Sequence, residues 1–205
     1  MRTIIWDMGG TLVDTYPQVD EALADAVRRA CGVHPGRAAV SQLTQVSIAH
    51  AIDVLAARHG VERRLLEQAY ADLKDRWRTH PAPLMAGARQ VMDAVHAAGG
   101  LNLVATHRDR TSAEQLFEAL GITVDDLVCA PDGIARKPDP AMNLLLLARH
   151  HLDPARVLCV GDREIDVDAA RAAGCASALL DPTGHASTSA DHHVRSLTEL
   201  LPLVP

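Results

Sequence analysis

The chain has 205 residues and a formal charge of −6, from 26 acidic against 20 basic residues, a balance that excludes the broad cationic face with which nucleic-acid binders neutralise phosphates. Apolar residues make up 48%, but two Trp, two Tyr and one Phe are its aromatic complement, so the core must be aliphatic and base stacking is excluded as a binding mode. No stretch reaches the ~18 uncharged apolar residues of a membrane span and Asp7 comes too early for a signal-peptide core, which predicts a cytoplasmic protein of one domain with room for an insertion.

The first apolar run, residues 3–7, ends at Asp7 and continues as Met8-Gly9-Gly10-Thr11. A carboxylate that closes a buried strand and precedes paired glycines projects from a tight turn, whose amides are expected to be free to meet an anion. Residues 16–82 then carry helix-period patterns with no strand between them: Ala22, Ala26 and Val27, then Ile48, Ile52 and Leu55, then Leu65, Leu66, Ala69 and Leu73. We read them as an all-helical insertion closed by Pro81-Ala82-Pro83. Tyr16, Gln45, Ser47 and His50 are its candidates for touching a substrate, whereas Arg58, Arg76 and Arg78 read as solvated charges.

Further apolar runs at 102–106, 127–130, 157–161 and 177–180 alternate with helical patterns, the signature of βαβ units and a parallel sheet covered on both faces. A helix over 86–98 stops at Gly99-Gly100, and the next is expected to open at the capping box Thr111-Ser112-Ala113-Glu114. Asp139 reads as an N-cap with Pro140 at the first helical position, and a later helix ends near Ala173. The polar segment 181–193 reads as an exposed loop carrying His185, His192 and His193. Cys31, Cys129, Cys159 and Cys175 lack metal-type spacing and read as reduced, mostly buried thiols.

Four segments fall at the carboxyl ends of the predicted strands, where an open parallel sheet holds its ligand. They are Asp7 to Thr11 with Asp14 beyond, Thr106-His107-Arg108, Arg136-Lys137-Pro138, and Gly161-Asp162-Arg163-Glu164-Ile165-Asp166. In order and spacing this set resembles the four signature motifs of the haloacid dehalogenase-like hydrolase superfamily, with phosphoglycolate phosphatase-like enzymes nearest in pattern. The expected fold is α/β: a doubly wound, Rossmann-like parallel core of residues 1–15 and 83–205 with an inserted all-helical cap, 16–82.

The resemblance implies a Mg²⁺-dependent phosphatase or phosphotransferase that acts on a small phosphorylated metabolite through an aspartyl phosphate. Asp7 would be the nucleophile, Thr106 would hydrogen-bond a phosphoryl oxygen, and Lys137 would neutralise both. Asp7, the Gly9 carbonyl and Asp162 would hold the metal, with Asp166 completing the acidic shell. Gly10, Thr11, His107 and Arg108, with Tyr16, Ser47 and His50 of the insertion, would contact substrate. Phosphoryl transfer needs charge neutralisation above all, and hard oxygen ligands beside a lysine suit that need. The protein is expected to be a monomer or homodimer, with neither nucleic acid nor membrane as partner.

One position departs from the pattern. Phosphatases of the family normally carry a second aspartate where this chain has Gly9, and a positioned general acid/base is worth ~10²–10⁴-fold in rate. Three alternatives follow: a substrate with a good leaving group such as an acyl phosphate, a replacement acid, or a catalytically weak pseudoenzyme that binds a phosphorylated ligand or partner. His107, with an ordinary pKa of ~6.5, is the first replacement to consider. A phosphonate-cleaving relative would need a Schiff-base lysine in the insertion, where only Lys74 occurs, and Asp162 with Asp166 argues against the metal-free dehalogenases.

Overall fold

The computed structural model describes residues 2–184 and 189–204; His185 lies outside the described residues. The chain divides into two compact units, Met1–Asp14 with Pro83–Pro205, and Thr15–Ala82. In chain order the elements are β1 (Thr3–Trp6), α1 (Tyr16–Cys31), α2 (Arg37–Thr44), α3 (Ile48–His59), α4 (Arg63–Arg76), α5 (Ala88–Ala97), β2 (Asn102–Thr106), α6 (Arg110–Leu120), β3 (Asp126–Cys129), α7 (Ala141–Arg149), β4 (Val157–Gly161), α8 (Glu164–Ala172), β5 (Ala176–Leu180) and β6 (His192–Val194). Among the described residues no helix is long and apolar enough to cross a membrane.

The first unit is a six-stranded, all-parallel sheet in the order β3-β2-β1-β4-β5-β6, as the doubly wound α/β expectation requires. Its strands are nearly continuous apolar runs because both faces are covered: every residue of β1, β2 and β4 is buried. Ile5, Leu103, Ala105, Val128, Val157 and Cys159 of the strands pack with Met142, Leu146 and Leu147 of α7 and Ala170 of α8 in one cluster. Full burial of each large aliphatic side chain is worth ~1.5–3 kcal/mol. Asn102, polar and fully buried in β2, is satisfied by accepting from Trp6 Nε1 and donating to the Met92 carbonyl, both at 3.0 Å.

Three sequence expectations shift here. Segment 181–193 is not all loop: β6 continues the sheet in parallel, with His192 opposite Ala178 and His193 opposite Leu179, and Asp191 fixes the approach by accepting from the Ser177 amide and hydroxyl, each at 2.8 Å. Helix α6 starts at Arg110, earlier than the predicted capping box, because Asp109 caps it by accepting from Ser112 N at 2.9 Å. At α7, Asp139 does accept from Ala141 N, but Pro140 is the cap residue. The four cysteines are free; Cys129, Cys159 and Cys175 are buried and Cys31 is exposed.

The second unit is four helices. Helix α1 buries Val19, Leu23, Ala24, Ala26 and Val27, and α3 buries Ala51, Ile52 and Leu55. In α4 the buried pair is Leu66 and Leu73, seven residues apart, while Leu65 of the predicted pattern is 46% exposed. Helix α1 also buries a carboxylate, Asp20, which accepts from Thr44 Oγ1 of α2 at 2.6 Å. Trp77, just past α4, donates its indole N–H to Gln18 Oε1 at 2.6 Å.

Candidate active site

The strand order reverses direction of winding at β1, so the turns that follow β2, β1 and β4 are neighbours at the carboxyl edge of the sheet, where an open parallel sheet holds its ligand. Asp7 is the first residue after β1, Thr106 closes β2, and Asp162 is the first residue after β4. Lys137 reaches in from the connection between β3 and α7, and Asp166 from the first turn of α8.

Lys137 is the hub. Its Nζ donates to Asp7 Oδ1 at 2.8 Å and to Asp166 Oδ1 at 2.7 Å, and all three side chains are buried. Burial works against the ammonium, but the two carboxylates outweigh it and hold its pKa well above the ordinary lysine value. Asp166 Oδ2 meanwhile accepts from the Arg163 amide at 3.2 Å, so each of its oxygens is already engaged in a hydrogen bond. Asp7 Oδ2 receives no hydrogen bond among the described residues, which leaves it open toward a reacting group.

Asp7, Asp162 and Asp166 bring one carboxylate oxygen each to within 4.8 Å of one another. Three carboxylates against one ammonium leave the cluster net anionic, which would repel a phosphate unless a cation is shared between them. The all-oxygen donor set fits a hard divalent cation such as Mg²⁺. Asp162 is steadied by Thr11, whose Oγ1 donates to its Oδ1 at 3.2 Å. Asp14 stands outside the cluster; its amide donates to the Pro83 carbonyl, and burial pushes its carboxyl pKa up.

The turn after Asp7 corrects one expectation. Gly10 adopts φ +90°, open to glycine at low cost, but its amide donates to the Val13 carbonyl at 2.8 Å and is spent. The amides of Met8, Gly9 and Thr11 meet no main-chain acceptor among the described residues, so the uncommitted donors of this turn lie on either side of Gly10. Gly9 itself is not in the left-handed region, so its backbone does not demand glycine.

Thr106 Oγ1 accepts from Arg108 N at 3.1 Å, which leaves the hydroxyl proton available to donate, and the Arg108 guanidinium is turned to Ser112 Oγ at 2.9 Å. His107 behaves differently from the proposed acid. Its Nε2 accepts from the Lys137 amide at 2.9 Å, and burial, then the charges of Arg136, Lys137 and Arg163, lower its pKa to about 4. The ring is therefore neutral and committed as an acceptor near pH 7, and it is not the replacement general acid.

Gly161 has a role that only packing reveals. A Cβ there would lie 2.3 Å from Cβ and 2.4 Å from Cγ of Asp166, so the absent side chain is what lets α8 bring Asp166 against the strand end. The insertion candidates sit in the other unit: Tyr16 opens α1, Gln45 caps the end of α2, and Ser47 caps α3 by accepting from His50 N at 3.0 Å. The Ser47 hydroxyl thus accepts within its own helix and keeps its proton to donate.

Comparison with known proteins identifies the family of the chain. The profile of the haloacid dehalogenase-like hydrolases matches residues 1–174. An N-acetylmuramic acid 6-phosphate phosphatase of Pseudomonas aeruginosa is 32% identical over 188 residues, covering 88% of this chain and 81% of the relative. A phosphoglycolate phosphatase of Chromobacterium violaceum is 30% identical over 219 aligned positions, covering 100% and 96%. A solved hydrolase from Streptococcus pneumoniae TIGR4 superposes with a TM-score of 0.71 at 24% identity, covering 98% of this chain and 97% of that one.

Proposed function

The chain belongs to the haloacid dehalogenase-like hydrolase family, and from that premise we propose that it is a phosphatase that releases phosphate from a small phosphorylated metabolite through Asp7. The observation that carries this reading is the buried Lys137 ammonium shared by Asp7 and Asp166, with Asp7 Oδ2 left open. The names of the relatives, phosphatases of two sugar-acid and small-acid phosphates, support the substrate class.

In the proposed reaction Asp7 Oδ2 attacks phosphorus as the ester oxygen–phosphorus bond breaks, giving an aspartyl phosphate and an alkoxide that takes a proton from solvent. Water then attacks phosphorus, the bond between phosphorus and Asp7 Oδ2 breaks, inorganic phosphate leaves, a proton returns to solvent and the Asp7 carboxylate is restored. Lys137 screens the approach of an anionic carboxylate to an anionic phosphoryl group, and Thr106 with the Met8 and Gly9 amides donates to its oxygens. Asp7, the Gly9 carbonyl and Asp162 would hold Mg²⁺, with Asp166 beside them. Bound there, the ion would neutralise the charge that builds on the phosphoryl oxygens. The helical unit occupies the chain position of a family cap, and we assign it the selection of substrate.

Gly9 favours a second reading, a weak catalyst that mainly binds phosphorylated ligands, since no residue at that position can protonate a poor leaving group. The two are separated by phosphate release from a panel of phosphomonoesters, acyl phosphates and phosphonates, with and without Mg²⁺. Turnover that is chelator-sensitive and absent in Asp7→Asn is expected. Flat, metal-independent background with every compound would favour the binding protein.

A further inference from the structure

We propose that His107 is a positioning residue for Lys137: its imidazole Nε2 anchors the Lys137 main chain to the end of β2, so that the lysine ammonium reaches Asp7. The proposal rests on the reading of Asp7 and Lys137 as the reacting pair. A lysine side chain has four rotatable methylenes, and its reach is set by where its main chain is tied. The connection that carries Lys137 is poorly tied by its own backbone. The amides of Ala135, Arg136 and Lys137 meet no main-chain acceptor among the described residues, and within 135–138 the carbonyl of Arg136 receives Asp139 N. The Lys137 amide is held instead across the site, by His107 Nε2 at 2.9 Å.

The choice of side chain follows from the surroundings. An acceptor at this reach must be one that stays unprotonated beside cations, and Arg136, Lys137 and Arg163 all act on the ring, with Asp166 opposing them. A carboxylate would compete with Asp7 and Asp166 for the same ammonium. A neutral imidazole with its proton on Nδ1 accepts without adding charge. His107 sits one residue after Thr106, on the rigid end of a buried strand, so one turn sets both the hydroxyl and the lysine.

Two variants and one spectrum test this. Gln offers Oε1 at the reach of Nε2, whereas Leu fills the space without an acceptor. His107→Leu is expected to lower kcat by ~10–100-fold with KM little changed, because a displaced reacting group costs rate more than binding; His107→Gln should recover most of the loss at similar thermal stability. Long-range ¹H–¹⁵N spectra of the native imidazole should show Nδ1 protonated and Nε2 bare. Amide exchange at Lys137 should be slow in the native protein and His107→Gln and fast in His107→Leu. A ring protonated at Nε2, full kcat in His107→Leu, or a folded His107→Gln as slow as His107→Leu would each overturn the proposal. If the native protein releases no phosphate from any compound, the proposed function fails, while the spectrum and the exchange rates still decide the anchoring.

Discussion

At the scale of single residues the site is set by what two glycines allow and one lysine needs. Gly161 makes room for Asp166, and Gly161→Ala would press a methyl group into a carboxylate already held by Lys137 and the Arg163 amide. We expect it to cost ~1–3 kcal/mol in urea unfolding, as overpacked sites do, with phosphate release falling in parallel. Gly9 is under no left-handed constraint, so its backbone conformation is open to aspartate; with Gly9→Asp supplying the missing acid, hydrolysis of alkyl phosphates should rise by up to ~10²–10⁴-fold while acyl phosphates gain little. Equal gains with both classes would refute this account of Gly9. His107 ties stability to pH: its pKa falls from 6.5 to about 4, by burial first and then by Arg136, Lys137 and Arg163. The unfolded chain therefore binds the proton more readily, and this contribution is complete above pH 6.5 and lost as pH falls from there toward 4. At most ~3 kcal/mol is involved, less after screening at a partly exposed ring. His107→Gln should flatten that part of the curve of unfolding free energy against pH.

At the scale of elements, the helices of the second unit hold a buried charge across a pair. Asp20 of α1 accepts from Thr44 Oγ1 of α2, and burial pushes its carboxyl pKa up while Thr44, Ser41 and Arg37 oppose the rise. A raised carboxyl pKa contributes stability at acid pH that is lost as pH rises through the folded value. Thr44→Val removes a donor the ionised carboxylate needs, so it should destabilise by ~1–3 kcal/mol at pH 7 and by less near pH 4, measured by urea unfolding at the two pH values. A penalty independent of pH would mean that Asp20 is not ionised in the folded unit. Element boundaries also explain which sequence signals misled. Thr111-Ser112-Ala113-Glu114 has the pattern of a capping box, but Asp109 is two residues earlier and its carboxylate takes the Ser112 amide, a stronger acceptor at a helix start than a hydroxyl. Strand β6 has three residues, too few for a period to declare itself; its identity comes from β5, which offers an edge, and from Asp191, which pins the register to Ser177.

At the scale of the whole molecule, the sheet brings two distant segments together into one anionic cluster, and ligation of that cluster should be visible as stability. If Asp7, Asp162 and Asp166 share Mg²⁺, the metal at ~100 times its Kd should stabilise the folded chain by ~2.7 kcal/mol, and melting should shift upward by several degrees. The shift should vanish in Asp162→Asn. An unchanged melting temperature in the native protein at saturating Mg²⁺ would remove the metal from the reading. The apolar runs ending in Asp7, Thr106 and Gly161 determined the parallel sheet and the edge that carries the chemistry, because a strand buried on both faces must be apolar along its length and a polar residue at its end must leave the core. The resemblance of the motifs to the haloacid dehalogenase-like pattern singled out Asp7, Lys137, Asp162 and Asp166 as site candidates, and these four side chains come together in the fold. Tertiary structure alone decided that Gly10 spends its amide on Val13, that Ser47 serves its own helix, that Gly161 clears a path for Asp166, and that His107 accepts from the Lys137 amide rather than giving up a proton. The reason is physical: a motif names side chains, whereas hydrogen-bond capacity is limited and pKa depends on burial and neighbouring charge, and partners as far apart as residues 107 and 137 are chosen only when the chain has folded.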